Sequence, residues 1–258
     1  MKVKLFKFVS IVSIIICVII YFYHYGYNAG KSATTKEYQQ KMEEAVDFAI
    51  RETWKEATKE VEHNKRLEEG KKDILLVNKK NRLPSDYEVE LITLPDKVNR
   101  AAKEAYQPLM DMLSAGRKQG LRFEICSSYR DVKVQERLYI EDVIALMRKG
   151  VPYEEAYEEV AKETMPPGHS EHSTGLAFDI VALDYQLLDF AQQFTPESIW
   201  LRENCAEYGF ILRYPKEKEE ITQISFESWH FRYVGVEVAK YIMENNLTLE
   251  EYLKKEIF

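Results

Sequence analysis

The sequence predicts an α+β fold in which helices flank a small antiparallel sheet. Short runs rich in β-branched and aromatic residues alternate irregularly with longer helix-forming stretches, an order typical of this fold class. With 45% apolar and 12% aromatic residues, the chain can build a packed core. A length of 258 residues allows one medium domain together with a smaller part.

The N-terminus predicts a membrane segment. Lys2, Lys4 and Lys7 precede an apolar run over residues 8–23, which is slightly shorter than the roughly 20 residues that span a bilayer. No good cleavage site follows, tyrosines alternate along 21–27 as in an interfacial aromatic belt, and the basic flank places the N-terminus in the cytoplasm. We expect residues 1–24 to be an uncleaved single-pass anchor in the cell membrane, with the main domain external. A cleaved and secreted form is the alternative.

A charged helical stalk is predicted over residues 25–70. The stretch 34–70 contains no proline and alternates Glu with Lys, as in a solvent-exposed helix. Gly70 is a plausible C-cap for this helix. We therefore place the main domain at residues 71–258, where runs typical of strands and loops begin.

The main domain is predicted to mix strands and helices. The expected strands are residues 73–78, 121–130, 174–183, 210–215 and 228–235, and the expected helices are 131–165, broken at 150–152, and 196–208. The acidic second half of the first helical stretch is a candidate lid. In the last strand, alternation places Trp229 and Phe231 on one face and His230 and Arg232 on the other, with the aromatic residues as core or supporting side chains.

Charge and cysteine content exclude some classes of function. The chain carries 43 acidic and 36 basic residues, a net charge of −7, without a dense basic stripe, so nucleic acid is excluded as a partner. Cys126 and Cys205 both look like core positions. Two buried thiols are favoured, although a disulfide between them stays open.

Two short stretches hold residue types suited to metal-dependent hydrolysis. His172 and Asp179 bracket a turn and a strand in which Gly175 and Ala177 are small, which would leave space for an ion or a peptide backbone. Further along, Glu227 lies three residues before His230, so that the histidine could bind a metal while the glutamate acts on the metal-bound water. Either spacing alone also occurs by chance, and a hydrogen-bonded structural histidine is the alternative.

The motifs together resemble a known family. They are similar to those of the zinc D-alanyl-D-alanine carboxypeptidases of the VanY type and of related L,D- and D,D-peptidases of the cell wall. The resemblance covers roughly residues 73–254 and rests on four stretches in the same order: "SSYRD…Q" at 127–135, "GHSEHSTGLAFD" at 168–179, "WLRENCAEYGFILRYP" at 200–215 and "ESWHFRYVG" at 227–235.

The resemblance implies a zinc site and a set of catalytic residues. It makes His172, Asp179 and His230 the ligands of Zn²⁺. Glu227 becomes the catalytic glutamate, and Arg130 becomes the residue that binds and polarises the substrate carbonyl. The full fold expectation is therefore a small sheet with flanking helices around a zinc site, preceded by an anchor and a stalk.

Weaker roles and two departures accompany this assignment. Gln135, Ser128 and Ser170 are assigned to substrate binding. Ser128 stands where the family commonly has glycine, and Ser228 stands where proline commonly precedes the Trp-His pair, so pocket shape and a turn beside the catalytic glutamate are expected to differ. His169 could face the pocket or be a loop histidine without a ligand role.

The expected activity is removal of the C-terminal D-alanine from peptidoglycan pentapeptide stems or precursors, with a role in glycopeptide resistance as an attached hypothesis. An L,D-carboxypeptidase acting on tetrapeptides and a D,D-dipeptidase are the closest alternatives. Two histidines and a carboxylate also form the facial triad of Fe(II) oxygenases, and a wall-binding module without catalysis is a third class. The external location, Glu227 and the Arg130 segment favour zinc hydrolysis.

Overall fold

The computed structural model describes residues 35–256. The predicted anchor, residues 1–24, lies outside this range. Among the helices within the described range, none is both long enough and apolar enough to cross a membrane.

A long helix opens the described chain. Helix α1 runs over Thr35–Asp73 and so continues through Gly70, the predicted C-cap. The missing side chain of Gly70 serves packing instead, because a Cβ atom there would lie 3.0 Å from a methyl group of Val238. Leu67 is fully buried, and its carbonyl oxygen accepts a hydrogen bond from the Tyr252 hydroxyl (2.6 Å). The main compact unit begins at this leucine.

The main unit mixes short strands with helices. Its strands are β1 (Leu91–Thr93), β2 (Arg100–Ala102), β3 (Phe123–Ser127), β4 (Ala177–Ala182), β5 (Phe210–Tyr214) and β6 (Glu227–Tyr233). Its α-helices are α2 (Lys103–Lys118), α3 (Val132–Arg148), α4 (Tyr153–Val160), α5 (Pro196–Asn204), α6 (Glu219–Thr222), α7 (Val236–Glu244) and α8 (Leu249–Lys254).

The antiparallel pairing agrees with the sequence, but within residues 35–256 the strands form two small sheets where one is predicted. Strands β1 and β2 pair as a hairpin, and the larger sheet has the order β3-β4-β6-β5 with every neighbour antiparallel. The predicted strand at 73–78 is wrong, since residues 74–77 join no sheet. The carbonyl oxygen of Leu75 instead accepts a hydrogen bond from the Arg232 side chain (3.0 Å), while Ile74 and Leu76 pack against the apolar cluster of α7 and α8.

The larger sheet has one apolar and one polar face. Phe178, Ile180, Phe210 and Phe231 point into the main core, which α2 and α5 cover with side chains such as Leu109 and Leu201. Alternation along the strands turns the intervening side chains to the opposite face. That second face carries the buried polar residues Asp179, Arg213, His230 and Arg232.

Helices α3 and α4 form a hairpin whose break at residues 150–152 agrees with the sequence. The two helices share a small core of Tyr139, Val143, Ala156 and Val160. Beyond α4 the chain returns toward the polar face of the sheet through Met165, which packs against Tyr214.

The two cysteines of the main unit are both free. Cys205 is fully buried, as expected, whereas Cys126 is exposed. The expectation of two buried thiols is therefore wrong for Cys126, which lies where the pairing of β3 with β4 shifts between Ile125 and Ser127.

Candidate metal centre

Strand pairing brings two of the predicted ligands together. In the antiparallel register of β4 and β6, Asp179 lies directly opposite His230. The third predicted ligand, His172, lies in a short 3₁₀ turn over Glu171–Thr174 that leads into β4. One ligand atom from each of the three side chains lies within 4.8 Å of the other two, and all three residues are buried.

The orientation of His172 is fixed by a main-chain contact. Its Nδ1 atom lies 2.8 Å from the carbonyl oxygen of Ser128. A carbonyl oxygen can only accept, so Nδ1 carries the proton and Nε2 keeps the lone pair with which it can bind a metal. That Nε2 atom lies 3.2 Å from Oδ2 of Asp179. Burial lowers the pKa of His172, so the neutral form that a metal requires is favoured.

His230 faces the same point with its other ring nitrogen. Its Nδ1 atom lies 3.1 Å from Oδ1 of Asp179, an oxygen that is buried without a hydrogen-bond partner among the described residues. Burial opposes protonation of His230, but the carboxylates of Asp179, Glu171 and Glu227 together raise its pKa to about 9. Burial would also raise the pKa of Asp179, yet His172 and His230 hold it below its ordinary range.

This donor set fits zinc. Catalytic zinc sites use three protein ligands drawn from imidazole nitrogen, thiolate and carboxylate oxygen, and they leave a fourth position for water or substrate. Two imidazoles and an unpaired carboxylate oxygen converge here, and the cavity beside them supplies the open side. A cation bound here would pair with the Asp179 oxygen that has no partner among the described residues.

Glu227 lies next to this centre at the start of β6. One of its carboxylate oxygens lies 3.5 Å from Nδ1 of His230. Burial raises the pKa of Glu227 to about 8, and the negative charges of Asp179 and Glu163 act in the same direction. A carboxyl group with a raised pKa beside a metal site has the properties of a general acid and base.

Arg130 is held rigidly in the wall of the same cavity. Its Nη1 donates to Oε1 of Gln135 (2.8 Å) and its Nη2 donates to Oγ of Ser127 (2.7 Å). Gln135 is itself buried and donates to the main-chain carbonyl of Met165 (2.6 Å). Gln135 thus orients the guanidinium from the first turns of α3.

The cavity beside these residues has a volume of about 530 Å³. It brings together all but one of the predicted site residues, the exception being Ser128. Its other walls come from the segment after α4, the loop before α5 and the start of β6. They include Glu163, Thr164, Met165, Leu188, Asp189, Phe190, Ile224, Phe226 and Trp229. Such a polar centre with an apolar rim can accept a short peptide.

Several sequence expectations are corrected. Ser128 turns its hydroxyl away from the cavity, donating to Asn99 (2.7 Å) and accepting from the Arg100 amide (3.0 Å), so it serves the site only through its carbonyl oxygen. His169 contacts the carbonyl oxygen of Asn78 (2.8 Å) and is a loop residue outside the cavity wall. Gly175 makes no space for an ion.

The conformation of Gly175 explains its presence. Its φ is 74°, and a Cβ atom there would lie 3.0 Å from the amide nitrogen of Ala102, so glycine allows the turn to pack against β2.

Ser228 lies inside β6 and not in a turn, which removes the expected loosening beside Glu227. Trp229 lines the cavity and does not join the core.

The sequence analysis missed the buried charges behind the ligands. Glu171, Arg213 and Arg232 are each at most 1% exposed, and Glu171 approaches His230 from the side opposite Asp179. The available signal was the position of Glu171, immediately before a predicted ligand in the motif "SEHSTG". Its partners lie in distant strands and had no local signature.

Comparison with known proteins gives a consistent result. The family model VanY, described as D-alanyl-D-alanine carboxypeptidase, matches residues 98–236. A D-alanyl-D-alanine carboxypeptidase of Enterococcus faecalis (strain ATCC 700802 / V583) is 39% identical over 184 residues, which cover 71% of this chain and 66% of the relative.

Solved structures agree in fold. VanYB in complex with D-alanine-D-alanine has a TM-score of 0.65 at 38% identity, covering 70% of this chain and 97% of that one. A mutant of the D,D-pentapeptidase VanY from a VanB-type cassette, in complex with Zn(II), has a TM-score of 0.62 at 38% identity, covering 70% and 98%. The LD-carboxypeptidase LdcB has a TM-score of 0.63 at 35% identity, covering 72% and 87%.

Proposed function

Because this chain belongs to the VanY family of D-alanyl-D-alanine carboxypeptidases and is a zinc carboxypeptidase, we propose that it removes the terminal D-alanine from peptidoglycan stem peptides ending in D-Ala-D-Ala. One observation carries the proposal. The centre of His172, Asp179 and His230 opens into a cavity that also holds Glu227 and Arg130, which are the groups that peptide hydrolysis requires.

The chemistry divides among these residues. Zinc, when bound, supplies a Lewis acid that acidifies water and polarises a carbonyl group. Glu227 takes a proton from the attacking water and returns it to the leaving amine of D-alanine, a double task that suits a buried carboxyl group next to the metal ligands. Arg130, fixed by Gln135 and Ser127, presents its positive charge to the oxygen of the scissile carbonyl.

The pentapeptide is the substrate that we favour. VanYB, whose structure contains D-alanine-D-alanine, is 38% identical to this chain and is matched over 97% of its own length. The LD-carboxypeptidase LdcB is 35% identical with a TM-score of 0.63, so cleavage of a tetrapeptide is the alternative. The two activities differ in the configuration of the residue before the scissile bond.

The deciding experiment compares matched substrates. Full-length protein loaded with zinc is incubated with a muramyl pentapeptide ending in D-Ala-D-Ala and with the corresponding tetrapeptide, and amino-acid release is followed by mass spectrometry. We expect one D-alanine from the pentapeptide and none from the tetrapeptide. Release from the tetrapeptide alone would make the enzyme an L,D-carboxypeptidase. Zinc binding without release from either would favour a wall-binding module, and the variant Glu227→Gln controls for contaminating peptidases.

We also propose that the enzyme acts outside the cell, anchored by its N-terminus. The support is the sequence alone, namely the basic residues Lys2, Lys4 and Lys7 followed by the apolar run at 8–23. Protease treatment of intact protoplasts should degrade the main domain. Survival of that domain under conditions that digest a known external protein would refute the location.

A role in glycopeptide resistance rests on the same activity, because shortened stems lack the D-Ala-D-Ala terminus. Deletion of the protein should then increase glycopeptide sensitivity. Unchanged sensitivity would refute the resistance role and leave the enzymatic activity intact.

A further inference from the structure

A buried ionic network lies behind the metal centre, on the polar face of the sheet. Its members are Glu171, Arg213, Arg232 and Glu250, and each is at most 6% exposed. Ionised side chains are rarely buried to this extent unless they are paired. The network holds two carboxylates and two guanidinium groups, so its charges balance.

The network begins at the C-terminal helix. Arg213 forms a bidentate ion pair with Glu250, in which Nη1 donates to Oε2 (2.9 Å) and Nη2 donates to Oε1 (2.6 Å). Asn78 donates to the same carboxylate (3.0 Å). A bidentate pair of this kind fixes both the position and the plane of the guanidinium group.

The fixed arginine then holds Glu171. Nε of Arg213 donates to Oε1 of Glu171 (2.9 Å), and Nη1 of Arg232 lies 3.3 Å from the same oxygen. Arg232 is anchored separately, through the carbonyl oxygens of Tyr233 (3.1 Å) and Leu75 (3.0 Å). Both cations therefore act on Oε1, and Oε2 is left to face the other way.

The free oxygen faces a metal ligand. Oε2 of Glu171 lies 3.6 Å from Nε2 of His230, and both atoms are buried without a hydrogen-bond partner among residues 35–256. These two unpaired atoms are complementary, because a neutral imidazole with its proton on Nε2 can donate to a carboxylate. In that tautomer Nδ1 keeps its lone pair, and Nδ1 is the atom beside Asp179.

We propose that Glu171 is a positioning residue for the metal centre, accepting the Nε2 proton of His230 so that Nδ1 is presented to zinc. Arg213, held by Glu250, keeps the carboxylate at the correct angle. The direct effect of Glu171 is on zinc affinity. Only the consequence for catalysis rests on the proposed function. In general, carboxylates that orient metal-binding histidines by a hydrogen bond increase the affinity for the metal.

Two substitutions separate the effect of the side-chain length of Glu171 from the effect of its charge. Glu171→Gln keeps the length of the side chain and removes the negative charge. Glu171→Asp keeps the charge beside the two arginines and withdraws the oxygen from His230. Glu251→Gln is the matched control, because Glu251 lies on the same helix as Glu250 but pairs with Lys218 (3.1 Å) and with the Thr248 amide (2.8 Å). Glutamine can retain that capping contact.

The measurements are the zinc dissociation constant, from competition with a chromophoric chelator, and the histidine ring nitrogen shifts in NMR spectra of the zinc-loaded protein. We expect both Glu171 variants to raise the dissociation constant by about 10- to 100-fold and to change the Nε2–H signal of His230. The control should match the wild type in both. Circular dichroism and thermal unfolding verify that each variant is folded.

The result that would overturn the proposal is a folded Glu171→Asp variant with wild-type zinc affinity and an unchanged His230 signal. That variant keeps the negative charge beside the two arginines, so the proposal stays falsifiable even if Glu171→Gln does not fold. Failure of the proposed function has a different signature: the wild-type protein would bind zinc tightly yet release no amino acid from either stem peptide.

Discussion

Replacing Arg130 by alanine should cripple catalysis without removing the metal. The guanidinium group contacts Gln135 (2.8 Å) and Ser127 (2.7 Å) and lies in the cavity wall, and Arg130 is not one of the metal ligands. Loss of one donor to a developing oxyanion costs about 10²- to 10³-fold in rate, equivalent to roughly 2.7–4 kcal/mol of transition-state stabilisation. The expected kcat is therefore reduced by that factor.

The same substitution has a separate cost in stability. Gln135 is 1% exposed, and without Arg130 its Oε1 atom loses the hydrogen-bond donor that now satisfies it. An unsatisfied buried acceptor costs about 1–3 kcal/mol. Urea unfolding should show a decrease in this range unless water enters the vacated space and replaces the donor.

The assay measures D-alanine release from a pentapeptide under single-turnover conditions, together with zinc content by mass spectrometry. Arg130→Lys is the matched variant: it keeps a positive charge but has only one nitrogen and cannot contact Gln135 and Ser127 as a fork. It should fall between the wild type and the alanine variant. Turnover of Arg130→Ala within about threefold of the wild type, far short of the loss expected for an oxyanion donor, would refute the role given to this residue.

Further predictions concern the zinc site, stability at acid pH and the hydrophobic core. Glu227→Gln should retain zinc and lose about 10²- to 10⁴-fold in turnover, whereas His172→Ala should lose zinc itself, which metal analysis after gel filtration distinguishes. Burial opposes ionisation of Glu171 and Asp179, but Arg213 and the two histidines hold the pKa values of these carboxyl groups below their ordinary range. Their stabilising contribution is therefore present above about pH 4 and is lost as the pH falls further, so the metal-free protein should unfold cooperatively in acid, as followed by circular dichroism. A flat stability profile between pH 5 and pH 2 would contradict this. Phe178→Ala, at a fully buried position next to Phe210, should lower the free energy of unfolding by about 3–5 kcal/mol in urea.

Much of the fold could be predicted from local patterns. Strands β3, β4, β5 and β6, and the break between α3 and α4, agree with the sequence because their apolar periodicity and turn residues are local properties. The strand predicted at 73–78 failed for a non-local reason. Its carbonyl groups have no neighbouring strand, and one is taken by the Arg232 side chain.

In the candidate site, too, some features follow from local sequence and others depend on contacts between distant residues. The motifs select His172, Asp179, His230 and Glu227, and the structure brings these four residues to one cavity. The orientation of Arg130 by Gln135 also follows from residues close together in the chain. The direction of the Ser128 hydroxyl could not be predicted, because Asn99 and Arg100 reach it from β2 and the loop before it.

By itself, the sequence determined which residue types are available to hold a metal, and it determined the strands and turns on which they lie, because both depend on spacing of a few residues. Only the tertiary structure decided that Asp179 pairs with His230, and that Glu171 meets Arg213 across a separation of 42 residues. Sheet register and buried charge pairs depend on the free energy of the whole packed face, in which each buried ion needs its partner. No local pattern carries that information.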